Sequence, residues 1–171
     1  MRSARLTYAA IVAGTSLWCA LILIAPAAAS SPSFAVPGLF LYAFFSPLCH
    51  QIDARSFHLL GQPLAVCGRC SAIYFAFLLG AVLYPFTQRL FRNARPGILF
   101  LILSVAPMLV DVVLESLGIH ESSNALRAVT GAWFGILIPF LIIPGAVEGI
   151  GQILARHNSY KVHTEKGLID A

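Results

Sequence analysis

The chain has 171 residues, of which 58% are hydrophobic and 11% charged, with a formal net charge of +4. A soluble domain carries roughly 25% charged residues, so a water-soluble globule is excluded and one membrane-embedded domain is expected. The positive balance reads as loops lying beside anionic lipid. No soluble basic face accompanies it, so a nucleic-acid partner is not expected.

Four runs reach the roughly 20 apolar residues that a membrane span needs. The first covers about residues 6–29. Arg2 and Arg5 before it, and Ala27-Ala28-Ala29 at its end, also resemble a secretory signal. The apolar stretch is long for a signal, so a retained span is the preferred reading. Residues 37–48 are apolar and aromatic but short, and read as an interfacial or re-entrant helix within an outer loop. Tyr42, Phe44 and Phe45 in it suit the membrane interface. The second span covers about 65–86, the third about 97–117 and the fourth about 125–150. Pro139 and Pro144 should bend the last. The expected fold is all-α, a polytopic helical bundle of residues 1–150, followed by a polar and partly disordered tail, 151–171.

Orientation follows from the lysines and arginines. Arg2, Arg5, Arg89, Arg92, Arg95, Arg156, Lys161 and Lys166 fall on one side of a four-span chain, and Arg55, Arg69 and Arg127 on the other. The positive-inside rule then puts both termini in the cytoplasm of a cell, or inner, membrane. The loop before the second span faces out. Asp111 lies about 14 residues into the third span, or roughly 21 Å of helical rise. Glu115 lies one turn further out, and Arg127 opens the fourth span from the outside.

Ionisable and thiol groups in or beside spans are costly and point to function. Cys67 and Cys70 are three residues apart at a helix start, so both thiols share a face. A C-x-x-C pair serves as half a zinc site or as a redox pair. Cys49 is a third thiolate candidate, and His50 or His58 a fourth ligand of a Cys3His site for zinc. The adjacency of Cys49 and His50 makes joint binding awkward. The competing readings are a thiol–disulfide pair that hands electrons to a quinone, and a disulfide that only staples the loop. Cys19 lies mid-span and reads as a small core residue.

Asp111, Glu115 and Arg127 are candidate catalytic groups, with either carboxylate as acid or base toward an amphiphilic ligand at the interface. The structural alternative is a buried Asp111–Arg127 ion pair that orients two helices. Ser123 or Asn124 is expected to cap the fourth helix. Gly131 and Gly135, four residues apart, allow close helix packing.

Cys49-His50-Gln51, Arg55-Ser56-Phe57, Gly61, Cys67-Gly68-Arg69-Cys70 and Tyr74 resemble the signature of a family of small prokaryotic membrane proteins, domain of unknown function 2085. Pro107, Asp111, Ser123-Asn124, Arg127 and Thr130-Gly131 fit its second, looser block. The resemblance spans about residues 48–135 and implies a multi-span membrane protein in which the two blocks belong together. It carries over His50, not His58, and implies no particular activity.

Overall fold

The computed structural model describes residues 2–90 and 97–169. Arg92 and Arg95, which the orientation argument uses, lie outside the described residues. Of Arg2, Arg89, Lys161 and Lys166 only the backbone is described. Helix α1 covers Arg2–Ala29, α2 Ala35–Phe45, α3 Gly68–Leu90, α4 Ile98–Ser116, α5 Asn124–Leu137 and α6 Pro139–Ile169. The only sheet among the described residues is a hairpin of β1 (His58–Leu59) and β2 (Gln62–Pro63).

Among the described residues, four segments are long and apolar enough to cross a membrane: Ser3–Ala29, Gly68–Thr87, Ile98–Ser116 and Asn124–Ile153. These match the four expected spans to within a few residues. Their outward faces carry exposed Leu17, Phe86, Ile98, Leu103 and Trp133. In water such a surface would be untenable, whereas lipid solvates it.

The fourth span is two helices in series. The chain breaks at Ile138, because Pro139 has no N–H to continue the α5 ladder. Pro139 is fully buried there. A Cβ on Gly80 of α3 would come within 3.1 Å of the Pro139 ring and 2.5 Å of the Ile136 carbonyl. The break is therefore packed against α3. The interruption falls at Pro139 alone, and α6 runs as helix through Pro144 to Ile169 rather than ending in an irregular tail near Gly151.

Glycines set the helix spacing. A Cβ on Gly131 would meet the Arg69 carbonyl at 2.6 Å, and one on Gly135 would collide with the carbonyl of Ile73. The small-residue face of α5 thus lies directly on the backbone of α3. In the same way Gly38 lets α2 fold back over the end of α1, with the Ala29 nitrogen 2.6 Å from its missing Cβ.

The core sits at one end of the bundle. Ile22, Ala25, Phe45, Cys49, Leu64, Ala65 and Val66 pack together there. Phe45 is completely buried, with its ring 5.1 Å from that of Trp18, so it belongs to this core and not to the interfacial belt. Phe44, by contrast, is exposed.

The hairpin closes the lid over that end. Its two-residue turn, Leu60-Gly61, has φ of 53° and 77°. Positive φ at both positions is the signature of the type I′ turn that suits a tight hairpin, and explains the glycine. The Tyr42 hydroxyl donates to the carbonyl of Pro63, tying α2 to β2. Gln51, itself at φ 50°, donates through Nε2 to the carbonyls of Tyr42 and Ala65, both at 2.8 Å. One side chain thereby clamps the loop that carries Cys49 between α2 and the entry to α3.

Candidate functional site

Three thiols meet at this end. Cys49 follows α2, Cys67 immediately precedes α3, and Cys70 lies in the first turn of α3. Their sulfurs all lie within 4.8 Å of one another. All three are free thiols. Cys49 is buried and the other two are partly exposed. The Cys67 backbone N–H donates to Cys49 Sγ at 3.1 Å. Hydrogen bonds from the Cys67 thiol, then the Cys70 thiol, pull the Cys49 thiol far below its ordinary pKa, outweighing its burial. A thiolate at Cys49 is thus favoured in the folded protein.

His50 and His58 stand apart from the thiols. His50 is exposed and is not a member of the three-sulfur group. His58 Nε2 pairs with Asp53 Oδ1 at 3.0 Å. Cys19 is 3% exposed and donates its thiol to the carbonyl of Tyr74 at 3.5 Å, as a core residue would.

The ionic groups form a second cluster on the same side. Asp111 and Glu115 occupy the last turns of α4, and Arg127 the first turn of α5. The anticipated Asp111–Arg127 pair is not formed. Arg69 takes Asp111 instead, at 2.5 Å, and reaches Glu115 at 3.1 Å. Arg127 pairs with Glu115 at 2.7 Å, and Arg55 with the same carboxylate oxygen at 3.1 Å. Gly131 admits the α3 backbone at Arg69 directly against α5, and from there the Arg69 guanidinium extends to the carboxylates of α4. Ser122 donates to Asp111 Oδ1, and Thr130 to Oδ2 at 3.3 Å. Every oxygen of both carboxylates accepts at least one hydrogen bond. Arg127 is steadied by Asn124, whose Oδ1 accepts at 3.1 Å. Asn124 in turn donates to the Ala54 carbonyl at 3.2 Å, tying α5 to the loop of Arg55. The helix cap is Ser123, which accepts from the Leu126 N–H.

The structure therefore joins the two sequence blocks by direct contact. It also adds Arg55, Arg69, Ser122 and Thr130 to the Asp111–Glu115–Arg127 group. The signal for the arginines was present in the charge distribution: Arg55, Arg69 and Arg127 are the three that the positive-inside reading leaves on the wrong side, and all three converge on Glu115.

The two clusters share one turn of chain. Arg69 stands between Cys67 and Cys70. A Cβ on Gly68 would lie 3.3 Å from both the Arg55 carbonyl and the Phe57 ring, so glycine lets the Arg-Ser-Phe segment press on this turn. An apolar groove of about 330 Å³ is lined by Gly14, Thr15, Trp18, Tyr74 and Phe77, of which Tyr74 follows Cys70 by one turn of α3.

Comparison with known proteins agrees with the architecture. No solved structure matches the chain. An uncharacterised protein of Methanocaldococcus jannaschii is 41% identical over 104 residues, covering 61% of this chain and 67% of its own. An uncharacterised protein of Methanothermobacter thermautotrophicus is 34% identical over 95 residues, covering 54% of this chain and 81% of its own. The family model for DUF2085, described as a predicted membrane protein, matches residues 49–141, a stretch that includes all three clustered thiols and the whole Arg–carboxylate network. That match covers more than half of the chain, which therefore belongs to the DUF2085 family of predicted membrane proteins.

Proposed function

We propose that the protein binds a soft-accepting metal ion, zinc in the first instance, through Cys49, Cys67 and Cys70 at the outward end of its bundle. The observation that carries this reading is the convergence of three free thiols within 4.8 Å. Bonds of about 2.3 Å to a tetrahedral zinc place two sulfurs roughly 3.8 Å apart, so a small inward movement completes the arrangement. The donor set is three thiols of which Cys49 is already biased toward thiolate, while hydrogen bonding to Cys49 and Cys67 holds the Cys70 thiol protonated, so that binding an ion would release that proton. Three protein ligands leave a fourth position for His50 after a loop movement, or for an external ligand. When bound, the metal would act as a Lewis acid or fix the lid in place. Asp111 and Glu115 serve, on this reading, to hold the arginines of the adjacent pocket.

The test is elemental analysis of the protein purified in mild detergent, with thiols counted before and after chelation. About one metal ion per chain is expected, with the outer thiols released by chelator and the metal lost in Cys49→Ser. A metal-free protein whose thiols appear only after reduction would overturn the reading.

The groove beside Cys70 favours a second reading. An apolar slot bordered by Trp18 and Tyr74 suits a quinone ring or an isoprenoid chain, as a membrane thiol oxidoreductase requires. In that case Cys67 and Cys70 form a disulfide as a quinone takes up the two electrons and two protons. Cys70→Ser would then trap a mixed disulfide with a partner thiol, and redox-inert thiols would dismiss it.

A further inference from the structure

Donors outnumber acceptors in the ionic cluster. Three guanidinium groups face two carboxylates, so the cluster carries one positive charge more than its anions neutralise. Asp53, the acidic residue nearest in sequence to Arg55, is occupied by His58. A guanidinium offers five N–H donors and accepts nothing. All four carboxylate oxygens are already engaged, yet the Nε groups of Arg69 and Arg127 are buried with no partner. Arg127 as a whole is 8% exposed. Buried donors without partners are rare, and each calls for an explanation. A water molecule could satisfy a donor but would leave the charge. An oxyanion satisfies both.

Arg55 provides the entrance. Its side chain is 48% exposed, against 18% for Arg69 and 10% for Arg127. It shares Glu115 Oε1 with Arg127. Arg55 can therefore turn toward an incoming anion while Glu115 keeps two other guanidinium partners. The cluster also lies where α4 ends and α5 begins, at the ends of two segments long and apolar enough to cross a membrane.

We infer that Arg55, Arg69 and Arg127 form a binding site for an oxyanion of the phosphate class, presented by a phospholipid headgroup or by free phosphate. The fork geometry of arginine matches phosphate oxygens in pairs. This site rests on the arginines and goes beyond the metal reading, which rests on the thiols, so either stands if the other fails.

The test uses the full chain in two settings. In zwitterionic micelles, inorganic phosphate is titrated against chloride at constant ionic strength and the melting temperature is followed. In nanodiscs containing equal phosphatidylglycerol and phosphatidylcholine, retained lipid is identified by native mass spectrometry. A rise in melting temperature with phosphate identifies the free anion, and selective retention of phosphatidylglycerol identifies the headgroup. Arg55→Gln is expected to weaken whichever binding is seen by about ten-fold. In the unmutated protein, the bound anion is expected to shield Arg55 from phenylglyoxal. That second measurement needs no variant to fold. Binding in neither setting, equal binding by Arg55→Gln, or an Arg55 unshielded at saturating anion would overturn the inference.

Discussion

Glu115 receives three arginines, and the value of each depends on its exposure. Removing one partner of a buried pair costs about 3–5 kcal/mol because the other charge is left unpaired. Arg69 is the largest case, since its loss leaves Asp111 without a guanidinium and takes one of three from Glu115. Arg55 is half exposed and water screens its pair, which limits the cost to about 1 kcal/mol or less. Melting temperatures of single glutamine variants should therefore fall in the order Arg55, Arg127, Arg69, with Arg69→Gln the least stable. An Arg55→Gln protein that melts lowest would refute this ordering. Gln51 is the corresponding residue on the thiol side. Gln51→Ala removes two hydrogen bonds to loop carbonyls, and should speed alkylation of the otherwise buried Cys49, as measured by a maleimide time course. The individual residues with unusual chemistry were legible in the sequence, because thiols and charges in an apolar chain stand out. Their pairing was not. Asp111 and Arg127 are both buried and near each other in the chain, but which guanidinium reaches Asp111 depends on how α3, α4 and α5 pack, and Arg69 arrives from α3.

Among the elements, the spans were readable because length and hydropathy suffice to identify them. The hairpin was not, since strands of two residues carry no usable alternation and Leu60 at positive φ is an uncommon choice. The break at Ile138 was half readable: proline predicted a bend, while its burial against Gly80 required the third dimension. The α3–α5 contact is the element on which the site depends. Gly131→Leu would push α5 off the Arg69 carbonyl and carry Thr130 and Arg127 away from α4. A drop in melting temperature is expected, together with weaker retention of any metal at Cys67 and Cys70. Normal metal content and unchanged melting in that variant would show that the two helices are not locked in this way.

For the molecule as a whole, the thiols and the ionic network occupy one end of the bundle. With an even number of spans, the two termini share a side of the membrane. On the charge bias, that side is expected to be the cytoplasm, with the thiols outside. A membrane-impermeant maleimide applied to intact cells after chelation should label Cys67, while a cysteine introduced in place of Ser159 should stay unlabelled until the membrane is opened. The reverse pattern would invert the topology. Buried apolar residues concentrate at the lid end, around Phe45 and Val66. The residues of unusual chemistry therefore lie beside that packed cluster.

The turn Cys67-Gly68-Arg69-Cys70 has a consequence for how such a protein can change. Each residue added to a helix rotates the remainder of that helix by about 100°. An insertion between the two cysteines would separate the thiols and swing Arg69 away from Asp111 at the same time. A substitution at Gly68 would press on Arg55 and so disturb the third arginine. A change of length in this turn therefore alters the sulfur cluster and the arginine cluster in the same step, so its length is held by both at once.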